Sequence, residues 1–220
     1  MLFAILGDNY NFLQTILLIA GFLVAIMMAL VLHEWAHAWA AFKSGDPTAK
    51  MMGRMTINPA KHVEPMGLIM FLFVGIGWAK PVPVNSFNYR NFRWGNFFVS
   101  IAGVTVNFIL GFISSLGYYV MITFADLNND WLLGIGYFFL FSMVINISLM
   151  IFNLLPIYPL DGYNMLRSMT KPHNKFMNFM RQHSTLILIA VLLISMFTGG
   201  IFILRDIITD AFVAFWGLMF

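Results

Sequence analysis

Residues 14–42 read QTILLIAGFLVAIMMALVLHEWAHAWAAF, an apolar run that carries three ionisable side chains near its end. A helix needs about 20 mainly apolar residues to cross a membrane, and this run is long enough. Its ionisable residues are His33, Glu34 and His37. A charged side chain at the centre of a membrane helix costs roughly 2.5 to 3.5 kcal/mol, so such residues usually serve a function. The run therefore predicts a membrane-spanning helix that carries a functional site.

The spacing of these residues is typical of zinc chemistry. On a helix, His33 and His37 lie one turn apart and project from one face, so both imidazoles can reach one metal ion. Glu34 is rotated by about 100° from His33, close enough to act as a general base without being a ligand. The pattern H-E-x-x-H thus predicts two ligands and a base. The alternative is that the three residues line a wet groove and hydrogen-bond one another.

Three further apolar windows predict three further spans, at about 96–125, 131–156 and 184–204. We therefore expect an all-α transmembrane helical bundle of about four spans, forming a single integral-membrane domain over residues 1–220. An amphipathic stripe after the last window predicts a C-terminal interfacial helix at about 205–220.

Composition agrees with this class and excludes others. Hydrophobic residues make up 60% of the chain and charged residues 10%, unlike a soluble domain. The net charge of +3 is too small for a nucleic-acid-binding face. The chain has no cysteine, which excludes thiolate zinc sites and cysteine nucleophiles. The start of the chain lacks a basic region and a small-residue cleavage site, so we expect no removable signal peptide.

The distribution of basic residues predicts the orientation in the membrane. Seven of the 12 Lys and Arg residues lie between residues 43 and 95, and four lie between 162 and 183. Because Lys and Arg are enriched in cytoplasmic loops, both segments are expected in the cytoplasm and the N-terminus outside. Arg205 alone does not fit this pattern.

The long basic segment at about 46–93 is expected to associate with the membrane. Residues 67–77 are apolar but too short to cross, which favours a re-entrant segment. The flanking stretches, including KPVPV at 80–84, favour one or two short strands, because prolines disfavour helix. An unpaired strand here predicts edge pairing with an extended substrate through Val82 and Val84.

A catalytic zinc site usually has three protein ligands, so a third is required. Elimination by predicted side of the membrane leaves six residues, of which Asp161 is favoured. Its sequence, NLLPIYPLDG, follows the third span at a depth that can match the histidines, about 9 to 15 Å inside the cytoplasmic face. The alternative is that Asp161 caps a helix in an ordinary turn. The other five candidates are Asp46, His62, Glu64, His173 and His183.

HEWAH in the first span and NLLPIYPLDG after the third resemble the site-2 protease family of intramembrane zinc metalloproteases. INPAKHVEPMG, GWAKPVPVN and AGVTVN also resemble family segments, in the family's order. The chain resembles a minimal form without PDZ or CBS domains. It departs from the family pattern at four positions, which leaves the groove shape and substrate preference open. These positions are Glu64, Val104, Tyr158 and Tyr163.

The resemblance implies one zinc ion per chain held by His33, His37 and Asp161, with Glu34 as general base. It also implies that Asn153 donates to the developing oxyanion and that Asn107 lines the substrate site. The alternative for both asparagines is that they tie helices together by hydrogen bonds.

The function implied is a zinc-dependent intramembrane endopeptidase that cuts a transmembrane protein in a prokaryotic cell membrane, with no nucleic-acid partner. Two alternatives are compatible with the same residues. One is a noncatalytic zinc-binding membrane protein or metal transporter; the other is a membrane metal-dependent hydrolase of a non-peptide substrate, since H-E-x-x-H does not name its substrate. A transporter usually needs polar residues through the whole membrane, whereas here they concentrate near one side.

Overall fold

The computed structural model describes residues 10–74, 79–171 and 174–220. Within these ranges the chain is helical, with irregular connections and no β-strand. Three helices are long and apolar enough to cross a membrane, or four if a bent pair of helices counts as one span. The predicted all-α membrane bundle is therefore confirmed as a class.

The first long helix, α1, runs Phe12–Ser44. It begins at Asn11, whose side chain accepts from the Gln14 amide while the Gln14 side chain accepts from the Asn11 amide, so two free donors of the first turn are satisfied. It ends at Gly45, which has the left-handed backbone conformation usual after a helix. His33, Glu34 and His37 therefore lie in its last third.

Two further long helices complete the core of the bundle. These are α4 (Phe92–Phe124) and α5 (Asp130–Asn153), and each begins at an asparagine that caps its first amides. Their bounds agree with the predicted windows at 96–125 and 131–156. One buried cluster joins α1 to α5 through interlocked apolar side chains: Leu18, Phe22, Ala25, Ile26, Ala29, Phe141 and Ile145.

The two ends of the bundle differ in what holds them together. At one end the Gln14 side chain donates to Asp130 over 2.7 Å, which ties the starts of α1 and α5. At the other end the Arg90 amide donates to the Ser44 carbonyl over 2.9 Å, which ties the end of α1 to the approach of α4. Therefore α1 and α5 run in the same direction, and α4 runs opposite to them.

The segment between α1 and α4 differs in part from expectation. It contains two short α-helices, α2 (Thr48–Met51) and α3 (Pro65–Val74), and two single 3-10 turns. The apolar run at 67–77, expected to be re-entrant, is helical as far as Val74, and the rest of it lies outside the described residues. The predicted strands are not found in the described part of this segment; Pro81 and Pro83 have no amide hydrogen to offer a ladder.

The C-terminal third also differs from expectation. It forms α6 (Asp161–Met169), α7 (Lys175–Gln182), α8 (Ser184–Thr198) and α9 (Gly200–Met219). The predicted window at 184–204 is interrupted at Gly199, which has φ 70° and ends α8. The bent pair that together is apolar enough to cross is α7 with α8, at 76°.

Helix α9 packs against the bundle through the stripe that was predicted to face a membrane surface. The Phe212 ring contacts the rings of Phe108 and Phe112, and the Trp216 indole donates to the Ser115 hydroxyl over 2.8 Å. The expected interfacial helix thus has part of its apolar side against α4, while Ile207 and Met219 are 60 and 63% exposed. Helical periodicity identifies an apolar face but does not say whether lipid or protein covers it.

Candidate metal centre

Three potential metal ligands converge where the end of α1 meets the start of α6. The Nε2 atoms of His33 and His37 are 3.0 Å apart, and Oδ2 of Asp161 is 3.4 Å from the first and 3.3 Å from the second. Ligand atoms from all three residues lie within 4.8 Å of one another. The side chains are 9, 12 and 16% exposed, so the cluster is largely shielded from solvent.

The histidines point their Nε2 atoms at each other because their Nδ1 atoms have other partners. Nδ1 of His37 is 2.7 Å from the Val99 carbonyl, and Nδ1 of His33 is 2.5 Å from Oδ1 of Asn107. Both partners are acceptors, so each Nδ1 carries the hydrogen and each Nε2 presents a lone pair. Two lone pairs and a carboxylate facing one point repel one another unless a cation lies between them.

Asp161 gives a second sign that the cluster fits a metal ion. Its Oδ2 is buried and has no hydrogen-bond partner among the described residues. Buried carboxylate oxygens are normally satisfied, so an orphan oxygen beside two imidazole lone pairs is unusual. Two histidines and one carboxylate are a donor set that zinc accepts.

The structure separates Asp161 from the other candidates for the third ligand. Within the described ranges, it is the only one that joins His33 and His37 in a metal-sized group. Asp46 and His62 are buried, but Asp46 is hydrogen-bonded to Thr48 and His62 to the Thr56 carbonyl. Glu64 and His183 do not join the group, and His173 lies outside the described residues.

Glu34 lies beside the cluster, and its carboxylate has a backbone partner. The Val82 amide donates to Oε2 of Glu34 over 2.8 Å. Since Val82 lies between two prolines, its amide is the only backbone donor that residues 81–83 possess. The contact orients one carboxylate oxygen and leaves Oε1 able to take a proton.

The segment that carries Val82 is tied down upstream. The Arg54 guanidinium donates to the carbonyls of Lys80 and Pro81 over 2.8 and 3.2 Å. The Lys80 amide donates to the His62 carbonyl over 2.8 Å. The Val82 amide is therefore presented to Glu34 by a fixed backbone.

The same segment is tied down downstream by Asp46, which follows α1. Its carboxylate accepts from the Asn85 amide over 2.6 Å and from the Asn88 side chain over 2.8 Å. Burial raises the pKa of the Asp46 carboxyl, but hydrogen bonds from Asn85, Thr48 and Asn88 outweigh it and lower the pKa below its usual value. Asp46 thus acts as an anchor for this segment.

Gly103 of α4 is a site residue that the spacing arguments did not identify. A β-carbon added there would lie 2.5 Å from Cε1 of His33 and 2.6 Å from Nε2 of His37. Only glycine allows α4 to approach the two imidazoles this closely. The signal available in the sequence was the AGVTVN segment, which the family resemblance had marked without assigning Gly103 a role.

We expect Gly103→Ala to weaken zinc retention by roughly tenfold or more, because its methyl group must displace one imidazole. Loss of a residue that only orients a metal ligand already lowers metal affinity about 10- to 100-fold. Zinc content of the purified protein, measured after dialysis against a chelator, checks this. Gly136→Ala is the matched control, since a methyl group there meets its nearest atom, Met121 Cβ, at 3.6 Å. Equal zinc content in both variants would contradict the close approach.

The remaining predicted site residues do not belong to the metal-sized group. Asn107 is fully buried, and its amide nitrogen donates to Asn146 over 2.8 Å, which ties α4 to α5. The Asn153 amide donates to the Leu149 carbonyl of its own helix over 3.1 Å. Val84 is 44% exposed, and Val82 is 8% exposed. Roles in substrate or oxyanion binding remain predictions.

Comparison with known proteins gives consistent matches over most of the chain. The model of Peptidase family M50 matches residues 21–125 and 113–197. "Putative zinc metalloprotease YwhC" of Bacillus subtilis (strain 168) is 39% identical over 153 residues, which are 68% of this chain and 68% of that protein. No solved structure matches the chain.

Two mycobacterial proteins match as well. "Putative zinc metalloprotease Rip2" of Mycobacterium tuberculosis (strain ATCC 25618 / H37Rv) is 30% identical over 73% of this chain. Its namesake from Mycolicibacterium smegmatis (strain ATCC 700084 / mc(2)155) is 32% identical over 73%. In both cases the match spans 60% of the relative's own length.

Proposed function

Because this chain belongs to Peptidase family M50, the site-2 protease family, we propose that it hydrolyses a peptide bond within or near a transmembrane segment of a membrane protein. The family and the names of its relatives make it a metalloprotease with zinc as its cofactor. Its apolar helices make it an integral membrane protein. These findings favour a protease over the transporter and non-peptide hydrolase alternatives.

The observation that carries the site assignment is the convergence of three ligand atoms from α1 and α6. We propose that His33 and His37 bind zinc through Nε2 and that Asp161 binds it through Oδ2. The buried Oδ2 without a hydrogen-bond partner supports this assignment. One carboxylate ligand also offsets part of the zinc charge, which makes a site inside a membrane less costly.

Zinc bound here supplies a Lewis acid that polarises a carbonyl and makes water more acidic. Glu34 is proposed as the general base: one carboxylate oxygen takes a proton from the attacking water and delivers it to the nitrogen of the leaving amine. The Val82 amide orients this carboxylate through Oε2, so that Oε1 is the oxygen available for the proton. Asn153 remains our proposal for a donor to the oxyanion.

The substrate must be locally extended before it is cut, because the hydrogen bonds of a helix shield its peptide bonds. The segment at 80–84 has no regular secondary structure, and Val84 at its end is half exposed. We propose that an unwound stretch of the substrate lies along this segment. In the described structure the Val82 amide is bonded to Glu34, so pairing with substrate would use neighbouring backbone groups.

The proposed orientation places the site near the cytoplasmic face and the N-terminus outside. Both basic segments, 43–95 and 162–183, adjoin the end of the bundle where α1 finishes and α6 begins. The opposite end carries Asp130 and Asp126 instead. Accessibility of single cysteines, introduced into this cysteine-free chain at Asn128 and Lys171, tests the orientation by labelling from each side.

A reconstituted assay tests the proposed reaction. The purified zinc-loaded chain is placed in liposomes with a reporter protein that has one transmembrane helix, and the products are identified by mass. We expect a cut within or beside the transmembrane segment that stops when a chelator removes zinc. Cleavage confined to water-soluble loops, or hydrolysis of lipid alone, would contradict the proposal.

We expect Val82→Pro to reduce cleavage about ten- to hundredfold with zinc content unchanged. Proline removes the amide hydrogen that orients Glu34, and a hydrogen bond to a charged group is worth about 1.5 to 3 kcal/mol. The reconstituted assay and metal analysis measure both quantities. Val84→Pro makes the same change two residues later, away from Glu34, and should cost less. Equal losses in the two variants would favour edge pairing over the contact with Glu34.

A further inference from the structure

Asn146 lies in the middle of α5, and no motif marks it. We propose that Asn146 is a positioning residue for zinc binding: acting through Asn107, it holds His33 in the tautomer that leaves Nε2 free for the metal. This inference rests on the proposed role of His33 as a ligand. It assigns a function to a buried series of hydrogen-bonded side chains that links α1, α4 and α5.

The two histidines are oriented by different kinds of acceptor. Nδ1 of His37 faces the Val99 carbonyl at 2.7 Å, and a backbone carbonyl can only accept. Nδ1 of His33 faces the side-chain amide of Asn107 at 2.5 Å. An amide can be turned about so that its NH₂ replaces its oxygen. The tautomer of His33 therefore depends on what holds the Asn107 amide in place.

Asn146 holds that amide, and a backbone group in turn holds Asn146. Nδ2 of Asn107 donates to Oδ1 of Asn146 over 2.8 Å, and Nδ2 of Asn146 donates to the Ser142 carbonyl over 2.8 Å. Because the Ser142 carbonyl can only accept, Asn146 must present its NH₂ to it and its oxygen to Asn107. Asn107 must then present its oxygen to His33, which has to donate from Nδ1.

Burial fixes the direction of the hydrogen bonds that link His33, Asn107 and Asn146. Asn107 and Asn146 are 0% exposed and His33 is 7% exposed, so bulk water does not reach the groups to repair a mismatch. Turning the Asn107 amide would set its oxygen against the oxygen of Asn146 inside the bundle, and buried groups left without a partner are strongly disfavoured. The Ser142 carbonyl thus fixes the His33 tautomer across two intervening side chains.

The test compares the zinc affinity of the full chain and Asn146→Leu in detergent, by competition with a chelator of known affinity. Leucine removes the acceptor for Asn107, so we expect zinc affinity to fall about ten- to hundredfold, the usual effect of losing an orienting partner. ¹⁵N signals of the metal-free histidine rings give a second readout. The His33 signals should shift toward a mixture of tautomers, while those of His37 should not change.

Two further variants separate hydrogen-bond direction from packing. Asn146→Asp keeps an oxygen that accepts from Asn107, and in the protonated form that burial favours its O–H donates to the Ser142 carbonyl in place of the Asn146 NH₂, so it should retain zinc affinity within about threefold and the His33 tautomer. Ser114→Ala removes a neighbouring buried bond, the 2.8 Å contact between the Ser114 and Ser142 hydroxyls, and leaves in place the Ser142 carbonyl that accepts from Asn146. It should leave both readouts unchanged.

The inference is overturned if Asn146→Leu binds zinc within threefold of the unmodified chain, or if Asn146→Asp or Ser114→Ala loses as much as Asn146→Leu. If the leucine variant does not fold, the aspartate variant alone decides by its His33 signals. His33→Ala distinguishes failure of the Asn146 inference from failure of the assignment of His33 as a ligand. It loses zinc if His33 is a ligand, whatever Asn146 does, and keeps zinc if the ligand assignment is wrong.

Discussion

Replacing Glu34 by Gln should leave zinc bound and slow peptide cleavage by about 10²- to 10⁴-fold, the usual contribution of a general base. Glutamine has the shape of glutamate, and its oxygen can still accept from the Val82 amide, which donates to Oε2 over 2.8 Å in the structure. It cannot take a proton from water. Metal analysis of the purified variant and initial rates on the membrane-embedded reporter measure the two quantities separately.

The chain offers a matched control for this variant, because Glu64 is its only other glutamate. Glu64 does not join the metal-sized group. Glu64→Gln should therefore cleave at nearly the normal rate. Normal cleavage by Glu34→Gln would contradict the proposed mechanism. Loss of zinc from that variant would mean instead that Glu34 helps to hold the metal.

Asp161→Ala should lower zinc affinity by at least about tenfold and abolish cleavage at limiting zinc. The reason is that two histidines alone leave a catalytic site one protein ligand short. Removing a residue that only orients a ligand already lowers metal affinity about 10- to 100-fold, so removing a ligand should lower it at least as much. Chelator competition measures the affinity, and cleavage measured across a zinc titration should recover in part at high zinc.

Asp206→Ala is the control for removing one carboxylate, since Asp206 is paired with Arg205 on α9, at 2.6 Å, and is half exposed. It should retain zinc fully. Full zinc occupancy in Asp161→Ala would show that the third ligand lies elsewhere. His62→Ala and Glu64→Ala would then be the next variants to compare.

The spacing of His33, Glu34 and His37 could be interpreted from sequence because helix geometry is local: residues four apart share a face wherever the helix lies. The three long spans could be predicted for a similar reason, since apolar length is a property of a continuous segment. Asp161 could not be identified from local spacing, because its assignment depended on the order of the spans and on elimination of other residues. The structure brings its Oδ2 to 3.3 Å from His37 Nε2.

Where expectation and structure differ, the deciding contact is distant in sequence. The segment around Val82 was expected to form a strand, but its amide is used by Glu34, which lies on another element. The apolar stripe of α9 was expected at a membrane surface, and part of it packs instead against α4 through Phe212 and Trp216, while Ile207 and Met219 of the same helix are exposed. Periodicity describes a face of a helix and carries no information about its neighbour.

That this chain is a helical membrane protein with a zinc-binding pattern follows from its amino-acid sequence, because hydropathy and helical spacing are encoded within single segments. The side chains that surround that pattern are known only from the packing of the helices. Gly103 lets α4 come within contact of both imidazoles, and Asn107 joins His33 to Asn146. These roles arise from close packing of three helices, and packing depends on residues that are far apart in the chain.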